Sequence, residues 1–204
     1  LLGFFVAMIK INKVPVLSKI AAFYVSFTRG TPILVQLYLS YYGIPILLQY
    51  LNYYFGMNLN INSVPNVVFV LVAFALDEGA YASENIRAAI LSVDKGQREA
   101  ALSIGMTTFQ TYIHIIIPEA LIVAIPSLGN EFINMIKSTS LAFVCAVVEM
   151  TAQGKLLASR NVRYFEMYIA LSLIYWAVTF VLARAFNFVE RKLKRSEGKV
   201  TSRA

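Results

Sequence analysis

A chain of 204 residues with 58% hydrophobic and only 14% charged residues is far more apolar than a typical soluble domain. Its 18 Lys and Arg against 11 Asp and Glu give a net charge of +7, but the basic residues lie between apolar stretches, which argues against a nucleic-acid surface. One cysteine and one histidine exclude a disulfide framework and offer no ligand pair for a metal or a catalytic triad. We therefore predict an integral membrane protein that is not an enzyme and binds no cofactor itself.

Five apolar segments are candidates for helices in a bilayer, whose hydrocarbon core takes about 20 helical residues. They cover residues 1–9, 20–51, 64–91, 116–150 and 165–189. We interpret the first as the end of a truncated transmembrane helix, and the second is long enough to include an amphipathic start before it enters the membrane. The expected fold is an all-α membrane domain over residues 1–204 with five transmembrane helices.

The loops between these segments differ in their content of Lys and Arg, which concentrate on the cytoplasmic side of membrane proteins. The first loop, the third loop and the tail at 190–204 are basic, whereas residues 52–64 include no Lys or Arg. We expect the three basic parts in the cytoplasm and the N-terminus outside. The fourth loop, with Lys155, Arg160 and Arg163, would then lie outside, against this rule.

The third loop, residues 92–112, is too polar to span a bilayer and has the signals of a short helix. Asp94 can cap its start, Gln97 stands three residues later as in a capping box, and Gly105 can end it in a left-handed C-cap. Such a helix serves either as a docking element for another protein or as an amphipathic connector on the lipid head groups.

Within this loop Glu99, Ala100 and Ala101 are followed by Gly105 and then by an Ile-x-Ile-Pro sequence at 115–118. The two alanines would leave a low surface that another protein can approach closely. The spacing resembles the EAA loop of ABC-importer permeases, with Ile117 where Leu is usual. Blocks at 27–45, 79–90, 125–141 and 159–176 are similar to the permease family for polar amino acids, and the second and fourth blocks look closest to cystine importers.

This resemblance implies the five-helix permease fold and a set of partners. These are a second permease subunit, identical or different, two cytoplasmic ATP-binding subunits that hold ATP and Mg, and an extracytoplasmic solute-binding protein. It also implies that the helix from Asp94 to Gly105 seats in a groove of the ATPase, with Glu99 and Gly105 as interface and geometry residues. The chain has no G-x-x-x-x-G-K-[ST] motif, so ATP hydrolysis is expected in a separate subunit.

Two polar stripes run along the third and fourth long apolar segments at helical spacing. The predicted substrate path consists of Asp77, Glu78, Tyr81, Glu84, Asn130, Glu131, Asn134, Lys137, Ser138 and Thr139. Charges at membrane depth cost at least about 2.5 kcal/mol each, so they should face a cavity or a partner. The acids would meet the ammonium of an amino acid, and Lys137 with nearby hydroxyls its carboxylate. Alternatively, Glu84 and Arg87 neutralise each other and the asparagines join helices.

We predict the translocation pore of an ATP-driven importer that accepts a polar amino acid from a binding protein and passes it inward by alternating access. The sequence blocks favour cystine, an acid-rich path suits a basic amino acid, and glutamine is a further alternative. An ion-coupled secondary transporter is the rival from another class. In that protein Asp77, Glu78 and Glu84 would carry protons or sodium, and no nucleotide-binding subunit would be needed.

Overall fold

The computed structural model describes residues 1–60 and 63–201, with side chains described as far as Lys194. Within these ranges the secondary structure is helical and includes no strand. The α-helices are α1 (Leu2–Ile11), α2 (Leu17–Gly30), α3 (Ile33–Phe55), α4 (Asn66–Ser92), α5 (Lys95–Ser103), α6 (Thr108–Thr111), α7 (Ile117–Ser138), α8 (Met150–Asn161) and α9 (Tyr164–Thr201). A π-helical turn, Tyr112–Ile116, joins α6 to α7, and a 3-10 helix, Thr139–Cys145, continues α7.

In the described part of the chain, four helical stretches are long and apolar enough to cross a membrane. They are Ile33–Phe55, Asn66–Ser92, Thr108–Cys145 and Tyr164–Lys194. They overlap the second to fifth predicted segments, which confirms an all-helical membrane fold. Helix α1 has 10 residues and is therefore about 15 Å long, which is shorter than a hydrocarbon core of about 30 Å. Of the predicted basic tail, residues 190–201 continue α9 and residues 202–204 lie outside the described residues.

The second predicted segment, residues 20–51, is wrong as one continuous helix. Thr31 and Pro32 both have extended backbone, with ψ angles of 140° and 139°, and they separate α2 from α3. The ring of a proline disfavours the helical conformation of the preceding residue, and proline has no amide hydrogen to donate. The Thr31 hydroxyl donates to the carbonyl of Phe27 at 3.0 Å, which occupies one of the free carbonyls at the end of α2.

The fourth predicted segment also ends earlier than expected, at Cys145 instead of residue 150. Ala146 has a left-handed backbone with φ of 56°, which ends the 3-10 helix. Helix α8 then starts at Met150, the last residue of that predicted segment, and occupies most of what was predicted as a loop. The Glu149 carboxylate caps it by accepting from the backbone N–H groups of Thr151 and Ala152, each at 2.7 Å.

Helix α4 is the centre of the fold and packs against α1, α2, α3 and α7. Its Val70 and Phe74 join an apolar cluster with α3 and the 3-10 helix, Ala80 joins one with α1 and α2, and Ala89 and Ile90 join one with α7. Small side chains at these contacts allow the close approach of helix backbones that membrane helices rely on. Exposed aliphatic and aromatic side chains cover the outer faces, as lipid contact requires.

We predict that Gly3→Ala weakens the packing of α1 on α4. A β-carbon at Gly3 would lie 2.9 Å from the Cβ of Ala82 and 3.0 Å from the carbonyl oxygen of Gly79, so the backbones would have to separate. We expect a loss of about 1–3 kcal/mol, the usual cost of overpacking, measured as a lower thermal unfolding midpoint in detergent. Gly43→Ala is the control, because a β-carbon there meets nothing within 4 Å. Equal midpoints for the two variants would contradict the close packing.

Candidate functional site

Three carboxylates line one cavity of about 340 Å³ beside the middle of α4. Asp77 and Glu78 come from α4 and Glu131 comes from α7, and all three are partly buried. The other lining residues are Thr31, Pro32, Ile33, Phe74, Tyr81, Asn134, Met135 and Ser138. The two predicted polar stripes therefore face each other, and the break between α2 and α3 closes part of the cavity wall.

Asp77 is held by Gln36 of α3, a residue that the sequence analysis did not single out. The buried Gln36 amide donates to Asp77 Oδ1 at 3.0 Å and to the carbonyls of Thr28 and Thr31 at 2.9 and 3.1 Å. One side chain thus joins both sides of the helix break to α4. Its only signal in the sequence is a polar residue one turn into an apolar helix that follows a proline.

Glu131 and Tyr81 also have partners that the sequence analysis missed. Asn85 of α4 donates its Nδ2 to Glu131 Oε1 at 3.2 Å, which links the two polar stripes directly. The guanidinium carbon of Arg29 lies 5.2 Å from the centroid of the Tyr81 ring, a favourable cation–π distance. Among the described residues that line the cavity itself, however, every charged one is acidic.

Glu84, another residue of the predicted substrate path, does not line this cavity. Its carboxylate pairs with Lys10 of α1 and with Arg87, whose Nη2 lies at 2.8 Å. The alternative pair of Glu84 with Arg87 is therefore present, and Lys10 is an addition that local spacing does not indicate. These three partly buried charges connect α1 to α4 and contribute to the fold more directly than to a substrate path.

Asn130, Lys137 and Thr139 also lie outside the cavity lining. Asn130 and Lys137 line a separate groove of about 610 Å³ between α7 and α9, and Asn134 borders both spaces. The Thr139 hydroxyl donates to the carbonyl of Ile136 at 2.6 Å. Each residue turns a helix by 100°, and on α7 this rotation places Asn130 and Lys137 on the side of the separate groove although Glu131 and Ser138 beside them line the cavity. The role predicted for Lys137 therefore finds no place at this cavity.

Helix α5 stands where the sequence predicted a helix from 94 to 105. The Asp94 carboxylate accepts from the N–H of Gly96 at 2.8 Å, as an N-cap does. The expected reciprocal bond from the Gln97 side chain is not formed within the described residues. A complete capping box is found one helix later, where Thr107 and Gln110 bond each other's backbone at the start of α6.

Gly105 ends α5 in the predicted left-handed conformation, with φ of +88°. The Gly105 N–H donates to the carbonyl of Leu102 and the Met106 N–H donates to that of Ala101, both at 3.1 Å. This pair of bonds is a Schellman motif, which fixes the direction of the chain after the helix.

The exposed face of α5 differs from the expectation at one residue. Glu99 and Ala100 are exposed, as a docking surface requires, and Ile104 is 79% exposed. Ala101 is only 2% exposed, because α5 packs on α6 and the π-helical turn through this side. Ala101 therefore supports the packing of α5 inside the subunit and is not available to a partner.

A bundle of membrane-spanning helices around a partly buried polar cavity is an arrangement that suits an integral membrane permease. Residues 1–195 match the family described as binding-protein-dependent transport system inner membrane component, and the chain belongs to this family. It is therefore a membrane component of a transport system and not an enzyme. The predicted resemblance to permeases of polar amino-acid importers is confirmed.

The chain is similar to the probable amino-acid permease protein YxeN of Bacillus subtilis, with 43% identity over 95% of this chain and 82% of the relative. It is 37% identical to the L-cystine transport system permease protein TcyL of the same organism, over 98% of this chain and 82% of the relative. A solved structure, described as an amino acid ABC transporter with histidines, has 38% identity and a TM-score of 0.79, and the match covers 94% of this chain and 83% of that chain.

We predict that Glu84→Gln destabilises the protein, because Lys10 and Arg87 lose their shared carboxylate while staying partly buried. We expect a loss of about 1–3 kcal/mol, less than for a fully buried pair because the side chains keep some contact with solvent. Unfolding of the purified protein, followed by thermal melting, measures it. Glu190→Gln is the control, since Glu190 pairs with a Lys194 side chain that is 59% exposed, and its loss should stay within about 0.5 kcal/mol. An equally small effect at Glu84 would contradict the role of this network.

Proposed function

We propose that the chain is the translocation pore of an ATP-driven importer of polar amino acids and that its substrate passes the cavity at Asp77, Glu78 and Glu131. The meeting of these three carboxylates in one cavity carries the proposal. Ionised acids inside a membrane are costly unless they face water or an opposite charge, and they commonly mark substrate paths. The ammonium of a transported amino acid is such a charge.

The break between α2 and α3 places the N-terminal end of α3 beside the cavity, where it suits the carboxylate of the substrate. Pro32 and Ile33, at the N-terminal end of α3, line the same cavity. The first N–H groups of a helix have no acceptor within it, and its N-terminus carries about half a positive charge. Transporters use the N-terminal ends of broken helices in this way for anionic substrate groups. The cavity thus offers partners for both charged ends of an amino acid without Lys137.

Cystine is the substrate that the sequence blocks favour, and the similarity to the L-cystine permease TcyL supports it. A basic amino acid is the second candidate, because every charged residue of the described cavity lining is acidic. The extra cation of its side chain would gain an additional partner there. Glutamine has no such extra charge, and so the cavity offers it one fewer ionic contact than it offers a basic amino acid.

The same proposal assigns α5 to contact with an ATP-binding subunit. Helix α5 follows α4 after two residues and leads through α6 into α7, so displacement of α5 acts on both helices that hold the carboxylates. Glu99 and Ala100 are exposed on it for a partner. The complete assembly would have two such ATPases with their ATP and Mg, a second permease subunit and an extracytoplasmic binding protein. Helix α5 and the C-terminus would be cytoplasmic and the N-terminus outside.

Reconstitution tests the proposal. The chain is co-purified with its ATP-binding subunits, placed in vesicles and supplied with binding protein and labelled cystine, arginine, histidine or glutamine. We expect uptake that requires ATP, the ATP-binding subunits and the binding protein. Uptake by the chain without an ATP-binding subunit, driven by a proton or sodium gradient, would replace this proposal with a secondary transporter.

We predict that Glu131→Gln lowers uptake by the reconstituted complex at least about tenfold in kcat/KM, because a charged hydrogen bond of about 1.5–3 kcal/mol to the ammonium is lost. The loss should be larger for arginine than for glutamine if the cavity also binds a side-chain cation. Glu166→Gln is the control, since Glu166 is exposed at the start of α9 and does not line the cavity. Equal uptake by the two variants would exclude Glu131 from the substrate path.

We predict that Gly105→Ala uncouples ATP hydrolysis from uptake. A residue with a side chain costs about 1–2 kcal/mol in the left-handed conformation that Gly105 adopts with φ of +88°, so the end of α5 should loosen. Glu99→Ala should act in the same direction by removing an exposed contact. The number of amino acids imported per ATP hydrolysed measures coupling. Gly96→Ala is the control in the same helix, because its β-carbon would make only ordinary contacts, at 3.4 Å or more. Normal coupling in both Gly105→Ala and Glu99→Ala would contradict the assignment of α5.

A further inference from the structure

With Thr108–Cys145 as one crossing of the membrane, the segment from Lys155 to Phe165 is on the side opposite to α5. The span formed by α7 and the 3-10 helix leads away from α5, and α9 leads back, so α8 and the loop from 56 to 65 share the far side. That loop has no charged residue, whereas the α8 segment holds Lys155, Arg160 and Arg163. Under the proposed orientation these charges lie outside, where short loops of membrane proteins usually have few Lys and Arg.

We propose that Lys155, Arg160 and Arg163, with the exposed apolar side chains of Leu156, Val162 and Phe165, form an outer basic surface that docks an acidic face of the extracytoplasmic binding protein. This inference rests on the proposed function and orientation. It commits to a protein partner because the surface combines two exposed arginines with an exposed aromatic side chain, residue types in which protein interfaces are enriched.

The basic groups of this surface are not neutralised within the described part of the chain. Arg160 and Arg163 are exposed, and none of the three forms a salt bridge there. The nearby Glu149 is already used, since its carboxylate accepts two backbone N–H groups at the start of α8. Glu166 follows Arg163 by three residues but makes no ion pair with it in the described structure. A partner with carboxylates would complement the excess positive charge.

The shape of the surface also suits a protein partner. Leu156, Val162 and Phe165 are 49%, 81% and 76% exposed. Beside them a groove of about 650 Å³ runs between the 3-10 helix, α8 and the start of α9. Lys155 borders this groove, with its Nζ 3.5 Å from the centroid of the Phe143 ring. An acidic side chain or loop that enters the groove would contact the Lys155 ammonium, which lies against the Phe143 ring.

A force applied at the outer basic surface would be transmitted to the cavity through packed helices. Helix α8 packs on the 3-10 helix, which directly continues the cavity-lining Ser138. It also packs tightly on α9, since a β-carbon at Gly154 would lie 2.9 Å from Leu171. A binding protein seated on α8 would therefore press on the wall of the cavity that receives its substrate.

The test measures ATP hydrolysis by the complete complex in vesicles of neutral phosphatidylcholine while binding protein loaded with its amino acid is titrated. In the double variant Arg160→Glu, Arg163→Glu we expect the half-saturating concentration of binding protein to rise at least about tenfold at low salt. For the wild type it should rise as salt increases, because screening weakens exposed charges. The rate without binding protein and the maximal rate should not change. Lys19→Glu, an exposed charge reversal near the start of α2, is the control.

Equal half-saturation of the wild type and the inserted double variant at every salt concentration would overturn the docking surface alone. A wild-type complex that the binding protein does not stimulate would overturn the proposed function as well. Orientation is read separately from labelling of Ser159→Cys by an impermeant thiol reagent, since the native Cys145 is buried. Labelling from the side of α5 would refute the proposal. The proposal would also be refuted if the half-saturating concentration of the double variant differed from that of the wild type only after anionic lipid is added, because the arginines would then bind head groups.

Discussion

The cost of placing ionised side chains inside a membrane is the constraint on which the rest of this structure depends. Helix α4 carries Asp77, Glu78 and Glu84 at membrane depth, and the helices around it are arranged so that these acids find partners or a cavity. Glu84 pairs with Lys10 and thereby connects α1 to α4. Asp77 accepts a hydrogen bond from Gln36, which connects the start of α3 to the same helix. The central position of α4 in the fold follows from polar contacts as much as from its apolar clusters.

Two stretches of irregular backbone also lie at the acidic cavity. Non-helical backbone within a bilayer is tolerated only where it is buried in protein or lines a cavity. The break at Thr31 and Pro32 lines the acidic cavity, and α7 changes to a 3-10 helix immediately after Ser138, another lining residue. Acidic side chains and irregular backbone are thus collected in one polar space, and apolar clusters lie around it. This division suits a path for a molecule that carries both signs of charge.

Two short helices, α5 and α8, are both connected to the helices that line the cavity. On one side, α5 is held by a capped start and a left-handed end between the two helices that provide the carboxylates. On the other side, α8 packs on the 3-10 helix that continues α7. Both short helices are therefore connected to α7, at its opposite ends, through secondary structure. In the proposed importer, an outside binding protein and an inside ATPase would reach the substrate through this shared helix.

Hydropathy, helical spacing and contiguous motifs are local properties, so the membrane class, the approximate extent of the long apolar spans, the polar stripes and the family could be predicted from the chain. Which polar residues meet depends on how the helices pack. Lys10 and Glu84 are 74 residues apart and Gln36 and Asp77 are 41 apart, and no local pattern relates them. Lys137 turned away from the cavity because rotation of α7 about its axis is set by its packing between α4 and α9. Local spacing defines which residues share a helix face, and long-range packing defines what that face meets.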